Sequence, residues 1–338
     1  MQTSFRIGDR SYSLNLPDNA DILRMRGARP VLDNRAALED AFGNPIGCPS
    51  FNTIIARKLA ENPEGEAVIV ISDNTRPVPY KGEQGILLPI IQRLIKAGVA
   101  SGRITVLCAN GTHTPLPDSV FRTMLDPAIF DLGIRIVNHD CRDEGGLKFI
   151  GYSSNGTMIR INKLYANAHI KILTGLVESH FMAGVSGGRK AICPGLIGED
   201  SVYVFHSVGY LDNPESRDLH LNGNPCHKEA MEVASSVGAD FILNVTLNQD
   251  FQVTGYFGGD MTQAHLAAFE SVKEEVSVPA SGAYDIVVTH AGFVGRNHYQ
   301  AAKAGVAAIP LLKANSVLIM AADCIDTDPV GKPTYRSV

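Results

Sequence analysis

The sequence predicts an α/β protein made of two α/β domains with mostly parallel sheets and an active site in the cleft between them. Short β-branched runs alternate with amphipathic stretches along the chain, which is the pattern of strands connected by helices. Nearly all of the runs are apolar on both faces, as strands covered by helices on both sides must be. The chain of 338 residues is 45% hydrophobic, so it can bury a large core.

Seven short apolar runs are predicted to be strands. Each has the length and the β-branched content of a buried strand, and most are followed by a polar or glycine-containing segment. The predicted strands are 67–72, 103–109, 134–138, 170–175, 240–247, 285–290 and 316–322.

Five amphipathic stretches predict helices, with Gly98 and Gly238 as C-terminal stops. At 276–285 a helical pattern gives way to Pro, Ser and Gly before a new strand begins, so the domain boundary is placed there. The predicted domains are therefore 1–275 and a short second domain, 276–338. The predicted helices are 82–98, 118–126, 226–238, 262–276 and 298–313.

Composition limits the classes of function. The net charge is −5 and the 30 lysines and arginines are dispersed, so neither nucleic-acid nor membrane binding is expected. The beginning of the chain lacks the pattern of a signal peptide, no apolar run approaches the ~18 residues that span a bilayer, and the six cysteines form no CxxC pair. We expect a cytoplasmic protein with reduced thiols and a small-molecule substrate.

Chemically informative residues follow the first two predicted strands. The segment DNTRPVP places Asp73, Thr75 and Arg76 on a loop stiffened by prolines, where an arginine can grip a carboxylate or phosphate. The segment GTHTP places His113 at the next strand tip. An ordinary turn with an exposed ion pair, and a structural or solvated histidine, are the alternatives for these two segments.

A third segment, ESHFMAGVSGGRKAICPG, follows the strand at 170–175 and carries His180 and Lys190. Its small residues, among them Ser186, Gly187 and Gly188, could let backbone amides close on an anion. The Walker pattern is not met, because the glycine spacing is short and Ala191 offers no hydroxyl to magnesium; a Rossmann fingerprint is also absent. A glycine-rich connection with a surface lysine is the alternative.

The fourth segment, HYQAAKAG, begins a predicted helix after the strand at 285–290. Gln300 and Lys303 are three residues apart and project from one face near its N-terminal end, with Tyr299 beside them, so they could hold a substrate carboxylate. A solvated helix face is the alternative. His206 lies sixteen residues after Lys190; imidazole is a good ligand for borderline metals, but one histidine does not make a metal site.

Taken together and in order, these motifs resemble the lactate racemase family, whose members interconvert the stereoisomers of 2-hydroxy acids. The resemblance extends loosely from about residue 5 to 325. It implies a nickel-pincer nucleotide, a nickel pyridinium-3,5-bisthiocarboxylic acid mononucleotide, joined covalently to Lys190 through a thioamide, with His206 as the protein's nickel ligand. It also implies cofactor-maturation proteins as partners, without which expressed protein would carry a free Lys190, and allows a homo-oligomer.

The resemblance further implies roles for the other residues. His113 and His180 match the pair of catalytic acid/base histidines of the family. Arg76, Tyr299, Gln300 and Lys303 match substrate-binding residues, while Asp73, Thr75 and the loop of Ser186, Gly187 and Gly188 match the surroundings of the cofactor, with its phosphate at that loop.

The sequence also departs from the family pattern. Asn74 and Thr114 stand where a histidine and an arginine are expected, and the chain has no tryptophan. These departures change pocket polarity, so an epimerase or lyase acting on sugar acids with the same cofactor is one alternative. A carrier of the nickel nucleotide is the other, although carriage gives His113 and His180 no purpose.

Overall fold

The computed structural model describes residues 1–8, 10–292, 295 and 297–325. The chain divides into two compact units, one made of Gly27–Glu275 and the other of Met1–Arg26 together with Val276–Val338. The predicted domain limits of 1–275 and 276–338 differ from this division only in the first 26 residues. Among the described residues, no helix is long and apolar enough to cross a membrane.

Strands account for both the central sheet and several two-stranded ribbons. Within the described residues and in chain order, the strands are β1 (Gln2–Ile7), β2 (Arg10–Asn15), β3 (Ala67–Ser72), β4 (Ile104–Ala109), β5 (Arg135–Asn138), β6 (Leu147–Tyr152), β7 (Met158–Asn162), β8 (Ile170–Leu176), β9 (Ser179–His180), β10 (Gly184–Val185), β11 (Phe241–Leu247), β12 (Val253–Gly259), β13 (Tyr284–His290) and β14 (Leu312–Ala321).

Helices cover the sheet and connect its strands. Within the same part of the chain they are α1 (Asn34–Gly43), α2 (Phe51–Glu61), α3 (Leu87–Ala97), α4 (Asp118–Met124), α5 (Pro127–Asp131), α6 (Lys163–Asn167), α7 (Glu199–Phe205), α8 (Val208–Leu211), α9 (Pro225–Val237), α10 (Gln263–Val276) and α11 (His298–Ala308).

The larger unit is built on a six-stranded sheet in the order β12-β11-β8-β3-β4-β5. All neighbours pair in parallel except β11 and β12, which are antiparallel. This confirms the predicted mixed α/β class with a mostly parallel sheet. The chain runs outward from β3 through β4 to β5, then returns to place β8 on the other side of β3. Because the strand order reverses between β3 and β8, their carboxyl ends form a switch point, where ligands of open α/β sheets bind.

The core lies on both faces of this sheet, as β3 shows. Ile69 and Ile71 pack into one hydrophobic cluster, whereas Val68 and Val70 pack into the cluster on the opposite face. All four side chains are almost completely buried, and burial of each contributes about 1.5–3 kcal/mol of stability. The prediction of strands buried on both faces is confirmed for β3, but β13 and β14 of the smaller unit differ, because apolar residues such as Ile286 and Val317 are exposed.

All seven predicted strands and all five predicted helices are present, with differences at the ends. The helix predicted from residue 82 begins at Leu87, because Gly82 has a φ of +73°, which a right-handed helix excludes. Gly98 is the predicted C-cap, with a φ of +111°. The last predicted helix ends at Ala308 and tightens into a 3₁₀ turn at Ile309–Leu311, since Pro310 has no N–H to continue it.

The smaller unit contains an antiparallel hairpin, β1 with β2, and a parallel pair, β13 with β14. Helix α11 lies between β13 and β14 in sequence and completes a βαβ connection. Phe5 of the hairpin stacks on His290 at the end of β13, with ring centroids 5.2 Å apart. The hairpin was not predicted, because most of its residues are exposed and its strands lack the continuous apolar run of a buried strand.

Candidate active site

The loops that follow β3, β4 and β8 leave the same edge of the parallel sheet. They carry most of the predicted site residues of the larger unit. The loop after β3 is held back onto the sheet by Tyr80, whose buried hydroxyl accepts from the amide of Ser72 at 2.8 Å and lies 2.9 Å from Thr174 Oγ1. Thr174 in turn donates to the carbonyl of Val70 at 2.7 Å. This network ties β3 to β8 at the switch point.

Asp73 and His113 form a hydrogen-bonded pair across the ends of β3 and β4. Nδ1 of His113 lies 2.6 Å from Oδ2 of Asp73, and the hydroxyl of Thr75 donates to Oδ1 at 2.5 Å. Burial of Asp73 by itself raises the pKa of its carboxyl. The hydrogen bond and the charge of His113, together with the hydrogen bonds from Thr75, lower the pKa by more, so that it lies below its ordinary value. An ionised Asp73 holds a proton on Nδ1 of His113, so that in the neutral form of the ring the lone pair lies on Nε2.

Arg76 forms an ion pair with Glu178, which joins the loop after β3 to the loop after β8. Both side chains are about one-third exposed, so the pair is accessible to a competing anion. Glu178 was not singled out from the sequence, because only the fold brings it opposite an arginine 102 positions away. Glu178 therefore competes with any substrate carboxylate for Arg76.

A cavity of about 420 Å³ also borders Arg76. Lys81 contributes a second cation to its wall. The lining does not include His113, His180 or Lys190, so the predicted catalytic and attachment residues lie at the edge of the sheet and not in this cavity.

His180 and Lys190 face each other within the loop after β8. Nε2 of His180 lies 2.7 Å from Nζ of Lys190, and the histidine is 9% exposed. Nδ1 of the same ring accepts from the backbone amides of Met182 and Ala183, at 3.4 and 3.3 Å. The predicted histidine and the predicted attachment lysine are thus direct neighbours.

The small residues of this loop are tightly packed. The φ angles of Gly187 and Gly188 are +74° and +51°, and a Cβ on Gly188 would lie 2.7 Å from the ring of His265. The amide of Ser186 donates to the carbonyl of Glu178 at 2.9 Å. The amide of Gly188 donates to Asn244. That this loop binds the phosphate of a cofactor therefore stays a prediction.

Two buried asparagines that the sequence did not indicate lie close to these loops. Asn244 of β11 accepts from the amide of Gly188 through Oδ1 at 2.9 Å, while its Nδ2 has no hydrogen-bond partner among the described residues. Asn110, three residues before His113, is 2% exposed, and neither polar atom of its side chain has a partner in that same part of the chain. Buried amides normally find partners, so both side chains are available to a ligand.

Arg189, which precedes Lys190, is fully buried. Its guanidinium donates to the carbonyl of Ala183 at 2.8 Å and lies 2.8 Å from Nε2 of His265. Burial lowers the pKa of Arg189 to about 9, so it is still charged at pH 7. This residue anchors the loop from inside and leaves Lys190 at its surface.

His206 caps the end of α7 and is half-buried. Its Nδ1 lies 2.9 Å from the carbonyl of Val202, so Nδ1 carries the proton and Nε2 carries the lone pair. Metal-binding histidines are commonly oriented by such a bond to a carbonyl. Among the described residues, no group of three or more His, Cys, Asp or Glu side chains could hold a metal ion, so His206 could only complement ligands from elsewhere.

The remaining predicted site residues lie in the smaller unit. Gln300 and Lys303 are on α11, as predicted, and the amide of Gln300 donates to the N-cap Asn297 at 2.9 Å. Both residues are partly buried. The side chain of Tyr299 lies outside the described residues. That these residues bind the substrate held by the larger unit stays a prediction.

Replacing Gly188 by alanine is expected to lower the free energy of unfolding by about 2–5 kcal/mol. A left-handed φ costs a side chain about 1–2 kcal/mol, and the new Cβ would overpack against His265 for about 1–3 more. Chemical denaturation of the two proteins measures the difference. Gly102→Ala is the control, because nothing lies within 4 Å of its added Cβ; equal stability of the two variants would contradict this description of the loop.

Comparison with known proteins adds a family to this geometry. Residues 7–218 match the model of the lactate racemase N-terminal domain. The chain belongs to the lactate racemase family. It is 33% identical over 324 residues to a lactate racemase of Lactiplantibacillus plantarum, covering 95% of this chain and 72% of the relative. A lactate racemase of Thermoanaerobacterium thermosaccharolyticum is 30% identical over 336 residues, or 97% of this chain and 76% of that one.

The fold matches as well. The solved structure of the lactate racemase apoprotein from Thermoanaerobacterium thermosaccharolyticum superposes with a TM-score of 0.84 at 29% identity, over 96% of this chain and 75% of that chain. The matched family domain includes His113, His180, Lys190 and His206, whereas Gln300 and Lys303 lie beyond it. The resemblance inferred from the motifs is therefore confirmed at the level of the family.

Proposed function

We propose that this protein racemises a 2-hydroxy acid such as lactate, by moving the Cα hydrogen as a hydride while histidines move the hydroxyl proton. The observation that carries the proposal is the pairing, at one edge of the sheet, of His113 with Asp73 and of His180 with Lys190. Similarity to two lactate racemases over most of the chain supports the substrate class.

The chemistry of the substrate favours this reaction type. The Cα–H of a 2-hydroxy acid is very weakly acidic, so its loss as a proton would leave a poorly stabilised carbanion. Loss as a hydride avoids the carbanion, provided that the hydroxyl loses its proton at the same time. The intermediate is a planar 2-keto acid, to which hydride can return on either face. A base for the hydroxyl is therefore the first requirement of the site.

His113 meets that requirement. Asp73 holds its Nδ1–H, so Nε2 presents a lone pair, and the carboxylate stabilises the imidazolium that forms when Nε2 takes a proton. The histidine side chain is 52% exposed, so a substrate can reach it. An imidazole can both accept and donate a proton, as racemisation in both directions requires.

His180 is held differently from His113. Its Nδ1 faces two amide donors, so in this structure the neutral ring presents an N–H at Nε2. Returning a proton from that nitrogen requires the imidazolium, for which Nδ1 must exchange its amide donors for an acceptor. We infer that His180 takes up its acid/base role after the loop adjusts, whereas His113 is already oriented.

The residues present fit a nickel-pincer nucleotide as cofactor. Lys190 offers an amine for covalent attachment, His206 presents Nε2 for a metal, and the buried Nδ2 of Asn244 lacks a partner among the described residues. When bound, this cofactor supplies an acceptor and donor of hydride. Maturation proteins are proposed partners, because the group must be made before it is attached.

Arg76 is proposed to bind the substrate carboxylate. Arg76→Ala should raise KM by about 10–100-fold with a smaller effect on kcat, because a charge-assisted hydrogen bond contributes about 1.5–3 kcal/mol. Glu178→Gln should lower KM, since it removes the anion that competes for Arg76. Steady-state kinetics test both, with the exposed Arg57→Ala as control. An unchanged KM for Arg76→Ala would exclude this role.

Deuterium placed on Cα of lactate tests the reaction type. Hydride transfer predicts that the racemised product keeps the deuterium in ordinary water, because the hydrogen never exchanges with solvent. Proton abstraction predicts that the product contains solvent hydrogen instead. Mass spectrometry of the separated enantiomers distinguishes these results, and complete loss of deuterium would contradict the proposed mechanism while leaving the family assignment intact.

A further inference from the structure

The hydrogen bonds of His180 bear on the protonation state of Lys190. A backbone amide can only donate, so Nδ1, which faces the amides of Met182 and Ala183, must carry the lone pair of the ring. The proton of the neutral ring then lies on Nε2 and points at Nζ of Lys190, 2.7 Å away. A hydrogen bond in this direction needs a lone pair on Nζ, which only an uncharged amine has.

The opposite arrangement, in which a charged Lys190 donates to Nε2 of His180, is disfavoured. An ammonium on Lys190 would need the lone pair at Nε2 and therefore a proton at Nδ1, which would meet the hydrogens of both amides. Two hydrogen bonds would be lost, each with a net contribution of about 0.5–1.5 kcal/mol. A doubly protonated His180 would also place an N–H at Nδ1 against the N–H groups of Met182 and Ala183.

Charges around the turn Gly188–Ala191 also favour an uncharged Lys190. Arg189 is a buried cation whose hydrogen bonds, among the described residues, go to the carbonyls of Ala183 and Gly187 and to His265. A second cation beside it is electrostatically unfavourable. Burial, together with the charge of Arg189, holds the pKa of His265 well below its ordinary value, so this histidine is neutral.

Three further ionisable groups near the turn carry no charge at neutral pH. Burial raises the pKa of the thiols of Cys193 and of Cys226 on α9, so both are neutral. Burial lowers the pKa of His227, also on α9, to about 4. Glu229 of α9 is the carboxylate on that side, and it accepts from Asn155 Nδ2 at 2.8 Å.

The two strands packed against the turn, β3 and β8, add little charge near Lys190. β3 has no ionisable side chain. The single one on β8, Lys171, lies near the opposite end of that strand and donates to the carbonyl of Val237 at 2.9 Å.

We propose that His180 raises the fraction of Lys190 that is present as an uncharged, nucleophilic amine before any cofactor is attached. His180 thus has a task that precedes catalysis: it prepares the attachment lysine to attack an electrophilic carbon. The inference rests on the proposed function only in naming that electrophile as the cofactor. The hydrogen bonds themselves are those of the protein without it.

Competitive acetylation of the cofactor-free protein tests the inference. Brief exposure to limiting acetic anhydride between pH 6 and 9, followed by peptide mass spectrometry, gives the labelling rate of each lysine. An ordinary lysine ammonium, with a pKa of about 10.4, is uncharged in about one molecule in 2,500 at pH 7. We expect Lys190 to react at least about tenfold faster than the exposed Lys96 at pH 7. We also expect the labelling rate of Lys190 to rise much less steeply with pH than that of Lys96.

His180→Ala should remove this advantage, so that Lys190 is labelled no faster than Lys96 at pH 7. The labelling of the other lysines reports whether the variant is folded. A wild-type Lys190 that is no faster than Lys96, or a fast Lys190 in folded His180→Ala, would overturn the inference. The result is independent of turnover: a reactive Lys190 in a protein that never racemises any 2-hydroxy acid would count against the proposed function alone.

Discussion

Replacing Lys190 by arginine is expected to reduce racemase activity by at least about 10³-fold and to prevent covalent loading. Arginine keeps the positive charge that a bare electrostatic role would need, but its guanidinium does not act as the nucleophile that attachment needs. The variant and the wild type would each be co-expressed with the maturation proteins. Intact-mass spectrometry then measures loading, and a chiral assay measures turnover.

Lys228→Arg is the matched control, because Lys228 is exposed on α9 and lies outside the site. It should show the mass increase and the activity of the wild type. A Lys190→Arg variant that gains the same mass as the control would place the attachment elsewhere, and one that racemises at the wild-type rate would remove Lys190 from the mechanism.

Replacing His113 by alanine is expected to lower kcat by about 10²–10⁴-fold, which is the usual contribution of a positioned general acid or base. Asp73→Asn should also lower kcat, by about 10²-fold or more, because an amide cannot stabilise the imidazolium as a carboxylate does. KM should change much less in both variants, since Arg76 is the proposed binding residue for the substrate carboxylate.

Asp118→Asn, at the exposed start of α4, is the control for Asp73→Asn and should retain full activity. Nickel content and mass should be measured for every variant, so that a loss of cofactor is not mistaken for a loss of catalysis. Fully loaded His113→Ala with an unchanged kcat would contradict the role of His113.

The sequence predicts the sheet well because a parallel strand must be apolar along its whole length. In the central sheet, each such run, from Ala67–Ser72 to Phe241–Leu247, is visible without knowledge of its neighbours. The residue types that follow β3, β4 and β8 also indicate chemistry locally. The rule that ligands bind beyond the carboxyl ends of strands then gathers these residues at one edge, which the strand order confirms for the larger unit.

Partnerships between distant segments could not be predicted in this way. Glu178 pairs with Arg76, and Asn244 holds Gly188, only because β3, β8 and β11 are adjacent in the sheet. No local pattern distinguishes these residues from other polar residues beside a strand. The glycine-rich loop at Ser186–Gly188 shows the same limit: the sequence shows its glycines, but not that Asn244 accepts from the amide of Gly188.

Burial also separates neighbours that look alike in the sequence. Arg189 and Lys190 are adjacent cations, yet Arg189 is completely buried and Lys190 is not. A glycine-rich segment ending in two basic residues predicts two surface charges. The interior position of Arg189 depends on the carbonyl of Ala183 and on His265, which the fold alone supplies.

Chiral chromatography tests the central claim, racemisation of a 2-hydroxy acid, most directly. Protein co-expressed with maturation proteins, with loading of Lys190 verified by mass, would be incubated with each enantiomer of lactate, malate and a set of longer aldonates. We expect at least one acid to approach the same equal mixture from either enantiomer, because enantiomers have equal free energies. Aldonates, which have further stereocentres, should instead form a mixture of epimers. Loaded protein that turns over no member of the panel would contradict the proposed function.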